Sequence, residues 1–289
     1  MSSSAAALLA DPTLDATLAR ISALDRYLAA GVGRDRRDPR WWVTPRQLTG
    51  LDGAAVDRLL DAIGEHWGTS ERRVQAAYLI GEYAWYVVAP VAASYLVEGR
   101  VARLSHDNVA VWLEPGETPG RLALRTRRFA ALPTDALAGT GDVRLVPDQR
   151  ALRELLQHEI VRHMAPIIGA LRARTPLGLN AQWLEVADRT ASALHHAGRL
   201  IGDEERGIRE AEAIIRRPGS PLHSPRSRFV SYEHLGARKT VKLRGACCLT
   251  YRIADHGYCM TCPLIDEPER TERVRAWIAE ELAQAAEPQ

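Results

Sequence analysis

Four cysteines are all that the chain contains, and they fall within sixteen residues as Cys247-Cys248, ten residues, then Cys259-x-x-Cys262. Scattered placement over 289 residues would not produce this. In a reducing compartment thiols seldom rest as structural disulfides, so metal binding or redox chemistry is the default use of such a group. Four thiolates complete the ligand set of a structural zinc, or of a [2Fe-2S] or [4Fe-4S] cluster, without borrowing a histidine. The spacing separates these candidates in part. Zinc sites usually take ligands in pairs two to four residues apart, and adjacent cysteines make a poor zinc knuckle. In an extended strand Cys247 and Cys248 would point to opposite faces, so joint ligation demands turned or irregular backbone. Gly245 and Ala246 make such a bend sterically easy. A two-iron cluster is wider than one ion and accepts ligand vectors that a single tetrahedron does not. Pro263, directly after Cys262, matches the proline that follows a ferredoxin ligand. Iron–sulfur is the better geometric match, and zinc stays open.

Charge points to the same segment. Thirty-eight basic against 36 acidic residues leave a net charge of +2, so no global field draws the chain onto nucleic acid or an anionic membrane. Only two of the basic residues are lysines, Lys239 and Lys242, and both precede the cysteines closely. With Arg238, Arg244 and Arg252 they place five cations within fifteen residues. A four-thiolate two-iron centre is anionic in both redox states, so Lys239, Lys242, Arg244 and Arg252 are candidates for electrostatic tuning of it.

Hydrophobic periodicity organises the rest. Leu14, Leu18, Ile21, Leu24 and Leu28 predict an amphipathic helix ending at Gly31, and Arg34 to Arg40 a solvated loop. Residues from about Pro45 to Trp67 and from about Ser70 to Val97 predict further helices. The second is apolar nearly all round; Glu82, Pro90 and its tyrosines make it a buried helix rather than a membrane span. Between about 101 and 146 the texture changes: Val109, Val111 and Leu113 alternate, then Leu122 and Leu124, across the turn-rich stretch 114–120. This predicts a small antiparallel sheet, with Arg121, Arg125 and Arg127 sharing its solvated face and a further short strand at Asp142 to Val146. Asp148 caps a helix to about Arg174, and helices follow over about Ala181 to Gly202 and on to about Arg217. The proline-rich run 217–225 then marks a boundary. The expected organisation is α+β: a mainly helical domain over 1–217 with its sheet at 101–146, and a four-cysteine segment over 218–289 closed by a helix from about Glu267 to Ala285 capped by Asp266. The start of the chain, with no basic region and only Ala5 to Ala10 as an apolar run, makes no secretory signal, so the expected compartment is the cytoplasm.

Other motifs fail on geometry. His158 and His163 resemble a zinc-protease pair but stand five apart, which turns the second imidazole about 140° from the first on a helix. His195 and His196 are adjacent and also diverge. Gly31-Val32-Gly33 lacks the third glycine of a dinucleotide fingerprint, and neither a phosphate-binding loop nor a serine-hydrolase elbow occurs. The seven tryptophans are spread along the chain as packing residues, not interleaved with one basic stripe as nucleic-acid stacking prefers.

The segment Cys-Cys-Leu-Thr-Tyr-Arg at 247–252 with Cys-Pro-Leu at 262–264, around the Cys-Cys, ten-residue, Cys-x-x-Cys pattern, resembles the FhuF-like ferric siderophore reductase family. Upstream, the helices and small sheet from about 70 to 202 are similar in texture to that family's larger domain. The resemblance implies a cytoplasmic oxidoreductase of iron acquisition. It implies a [2Fe-2S] cluster held by Cys247, Cys248, Cys259 and Cys262, and one-electron reduction of siderophore-bound Fe(III) to release Fe(II). Its partners would be a ferric siderophore and an electron donor such as a ferredoxin or a reductase, with no nucleic acid and no membrane span. The competing expectations are a zinc-stabilised binding module and a [2Fe-2S] electron carrier or sensor acting on another protein.

Overall fold

The computed structural model describes residues 13–116 and 120–286. The leader reading of residues 1–12 and the turn residues Glu117, Thr118 and Pro119 lie outside them.

The first predicted helix is shorter than its periodicity. Helix α1 spans Leu14–Leu24, and Asp25, in extended backbone, caps a separate 3-10 turn at Arg26–Leu28. The chain then enters strand β1 (Ala30–Val32). The arginine-rich loop that follows is not simply solvated: Arg34, Arg37 and Arg40 lie over the rings of Trp42, Trp112 and Trp41. After β2 (Trp42–Val43), the predicted helix at 45–67 divides into α2 (Pro45–Leu48) and α3 (Ala54–Trp67), because Gly53 turns left-handed at φ 65. Helix α4 (Arg72–Glu98) is the axis of the molecule; twenty of its residues are buried and it runs on through Pro90.

Strands β3 (Val101–Ala102), β4 (Val109–Trp112), β5 (Arg121–Leu124), β6 (Phe129–Ala131) and β7 (Val143–Leu145) form the predicted sheet region. They make two small sheets rather than one, ordered β1-β5-β4-β2 and β3-β6-β7. The expected hairpin is present, with Val111 opposite Leu122 and Val109 opposite Leu124. Outside it β1 pairs with β5, and β6 with β7, in parallel. Strand β5 ends at Leu124, so the three arginines do not share a face: Arg121 pairs with Asp35, Arg125 with Asp107 and Arg127 with Asp15.

Helices α5 (Gln149–Arg174, capped by Asp148), α6 (Leu179–Leu200) and α7 (Glu204–Ile215) complete the bundle around α4. His163 is buried, bonded to the Tyr83 hydroxyl and the Leu104 carbonyl, whereas His158 is exposed. Beyond the proline-rich run comes a hairpin that the sequence reading did not anticipate, β8 (Arg228–His234) against β9 (Ala237–Leu243). Helix α8 (Glu267–Ala286) closes the chain, its first turn bonded by Asp266 as predicted. Tyr232, Val241 and Leu243 of the hairpin pack with Val274 and Ile278 of α8 in a small core of their own, while Leu222, Leu249 and Ile253 join the main one. Among the described residues no helix is long and apolar enough to cross a membrane.

Candidate iron–sulfur site

Between β9 and α8 the chain makes an irregular loop that carries all four cysteines, each as a free thiol. The bend that adjacent ligands require is present. Leu249, directly after Cys248, adopts φ 64 and ψ 9, a left-handed conformation that a leucine takes only where surrounding contacts enforce it. Its own backbone N–H points back at Cys247 Sγ at 3.4 Å, and Leu264 N–H reaches Cys262 Sγ at the same distance. Such N–H···S bonds are one of the protein's means of setting a cluster's potential.

The thiols come in two pairs. Cys248 Sγ and Cys259 Sγ stand 3.7 Å apart. A tetrahedral metal with bonds of about 2.3 Å to sulfur holds two thiolates roughly 3.8 Å apart, so this pair is already at the spacing of one metal's ligands. Cys247 faces Cys262 closely enough for that second thiol to raise its proton affinity. Among the described residues no three cysteine, histidine or carboxylate side chains converge as a single ion would need. Two pairs suit two irons with two thiolates each. The donor set therefore fits a [2Fe-2S] cluster better than one zinc.

The protonation states follow from the surroundings. The hydrogen bond with Cys259, then the Arg244 charge and the Thr250 hydroxyl, hold the Cys248 thiol down at about 5 against the burial that opposes them. That same hydrogen bond, with burial, pushes Cys259 far up, and burial raises Cys247 to about 11.

Two carboxylates from the middle of α6, three residues apart on one face, hold the loop from below. Asp188 accepts from the backbone N–H groups of Gly245 at 3.0 Å and Ala246 at 3.1 Å, and from Lys242 Nζ and Ser227 Oγ. Glu185 binds the Arg244 guanidinium and, at 2.9 Å, Arg189. Gly245 has no room for a side chain, because Ser224 Oγ and Ser227 Oγ occupy the place of a Cβ. Neither carboxylate is a candidate from sequence, where each reads as an ordinary helix residue.

The predicted tuning cations separate. Arg244 is mostly enclosed, its side chain 12% exposed, and its charge acts on Cys248. Lys242 is buried against Asp188. Lys239 lies on the hairpin, bonded to Glu281 of α8 at 2.6 Å and over the Trp277 ring, and Arg252 pairs with Glu71 at 2.7 Å. From α4, the Tyr78 hydroxyl stands 3.1 Å from Thr250 Oγ1, which is 3.0 Å from Cys248 Sγ.

A helical domain bearing a loop of four paired thiols is the arrangement of an iron–sulfur protein. Residues 78–236 match the family described as ferric iron reductase FhuF-like transporter, and residues 244–264, which span every cysteine, match the FhuF 2Fe-2S C-terminal domain. The chain belongs to the FhuF-like ferric iron reductase family, and its cofactor is a [2Fe-2S] cluster. No curated protein matches it.

Proposed function

We propose that the protein is a cytoplasmic one-electron reductase of ferric siderophores, with Cys247, Cys248, Cys259 and Cys262 as the cluster ligands. The observation that carries this is the pairing of four free thiols at the rim of the helical body, three of them only partly covered. The hard oxygens of hydroxamate or catecholate groups hold Fe(III) far better than Fe(II), so one electron converts a nearly inert chelate into a labile one. When bound, the cluster supplies that electron. The chain's residues hold it at the surface: Asp188 and Glu185 fix the loop, Arg244 offsets its negative charge, and Lys242 acts through Asp188. Lys239 and Arg252, exposed in part, serve better to steer an acidic donor such as a ferredoxin or a reductase. In this reading residues 218–289 handle the electron, and 1–217 form the platform on which the chelate docks.

Stopped-flow oxidation of the reduced holoprotein by ferric siderophores, compared with oxidised redox proteins, tests the proposal. Faster reoxidation by the siderophores, with about two irons and two sulfides per chain, is expected. Faster reoxidation by the proteins assigns an electron carrier, and zinc without sulfide assigns a binding module; either overturns it.

A further inference from the structure

Alternation along the first sheet turns Val109, Val111, Leu122 and Leu124 into the main core, and Ala110, Trp112 and Ala123 to the opposite face, where Trp42 lies across from Trp112. Beside the two tryptophans this outer face opens into a cleft of about 600 Å³, a size that accepts a small-molecule ligand. Ala110 and Ala123, opposite each other on β4 and β5, both line it and are small enough to let a flat group approach the sheet closely. Arg34, Arg46 and Arg125 also line it, and Asp107 is the one carboxylate among the described lining residues. Asp107 pairs with Arg125, so Arg34 and Arg46, both exposed, have no ion pair among the described residues.

A second observation does not depend on charge. Trp42 and Trp112 are 3% and 6% exposed, and the buried indole N–H of each has no acceptor among the described residues. A buried donor without an acceptor costs stability, which a bound group that supplies one would recover. Arg34 lies over the Trp42 ring, 5.8 Å from its centre, so the ring that carries one of these donors sits under a wall of the cleft.

We propose that this cleft, which shares no residue with the cysteine loop, binds a small anion with a flat aromatic body, an aryl carboxylate or aryl phosphate. The ring lies on Ala110 and Ala123. Arg34 and Arg46 answer the charge, since a guanidinium matches a carboxylate or phosphate in shape as well as sign. Arg34, drawn from the Trp42 ring to the anion, opens the indole N–H to one of its oxygens. A neutral aromatic molecule would leave the arginines unanswered, and an inorganic anion would leave the alanine floor bare; a ligand with both parts uses the whole site.

A competing location exists between the second sheet and α5, where Arg103, Arg128, Arg144 and Arg162 surround Phe129. The test is calorimetric titration of the holoprotein with phenyl phosphate, benzoate, inorganic phosphate and phenol. One of the aryl anions should bind at one per chain, about tenfold tighter than inorganic phosphate or phenol, and the tighter of the two names the head group. Arg34→Ser with Arg46→Ser should weaken that binding about tenfold or more, and Trp42→Phe, which keeps a ring but removes the N–H, by about threefold to tenfold. Arg144→Ser should leave it unchanged. No binding of either aryl anion, equal binding of inorganic phosphate, or an affinity unaltered in the arginine pair or in Trp42→Phe overturns the proposal. So does a loss in Arg144→Ser, which would place the anion in the other cleft. Should Trp42→Phe not fold, the arginine pair, both exposed, decides alone. No step of the test reduces the cluster or uses a siderophore, so its failure leaves the reductase reading standing.

Discussion

Asp188 of α6 gathers more of the loop's bonds than any other carboxylate. It is almost wholly enclosed, and Lys242 beside it likewise. Removing one member of such a pair leaves a buried charge unanswered, which typically costs about 3–5 kcal/mol. Asp188→Asn should therefore lower the unfolding free energy by that amount in urea titrations, while Asp188→Asn with Lys242→Met, which keeps an acceptor for the Gly245 and Ala246 N–H groups, should recover much of the loss. Equal instability of the single and double variants would show that the pair's charges do not matter. Glu185 makes the pH-dependent counterpart. Burial pushes its carboxyl up, but Arg244 and Arg189 more than offset this and hold it at about 2, against an ordinary 4.5. The unfolded chain then binds the proton first, so this stabilisation is complete above 4.5 and is lost as pH falls toward 2. A shift of that size is worth about 3 kcal/mol. Between about pH 5 and 3 the urea midpoint of wild type should fall more steeply than that of Glu185→Gln; parallel slopes would mean that Glu185 titrates normally.

At the scale of elements, α6 can support the loop only because it is itself fixed, and two glycines fix it. Gly198 on α6 faces Gly207 on α7, so a Cβ on Gly198 would meet the Gly207 Cα at 2.8 Å and one on Gly207 the Leu194 carbonyl at 2.6 Å. Gly207→Val should force the helices apart at a cost of about 1–3 kcal/mol, seen as a lower melting temperature; an unchanged melt would show that the helices yield freely. Neither glycine stands out in the sequence, since each reads as a weak helix position. The long helices were legible because burial imposes a local period: α4, α5 and α6 begin and end within two or three residues of expectation. Pairings across distance were not. The partner of Ala30 is Leu122, and nothing near either residue specifies a parallel pair. The β8–β9 hairpin was missed because its turn is Leu235-Gly236, with a leucine where asparagine would have signalled it. The cysteine loop was legible as a donor set from spacing alone. Its supports were not, because Glu185 and Asp188 lie about sixty residues upstream and acquire meaning only through packing.

For the whole molecule, the division into a main core and a small core of β8, β9 and α8 sets what cluster loss should do. The main core, built around α4, meets the cysteines only at its edge, through Cys247 and the loop residues Leu249 and Ile253, so little of it rests on the cluster. The loop does rest on it, because any ligand that binds only the folded state stabilises the part that holds it. Removing the cluster with a chelator under reducing conditions should speed amide exchange over 244–264 while α4 stays protected; uniform loss of protection would show that the molecule melts as one unit. The carboxylates of α6 have a further consequence, for biosynthesis. They leave the ribosome well before the cysteines and reach their final geometry only when α6 has docked on α4, so the thiols cannot be arrayed until the helices are assembled. Cluster insertion is then a late step of maturation. A nascent chain stalled before docking would offer an iron–sulfur donor four loose thiols instead of a prepared cradle.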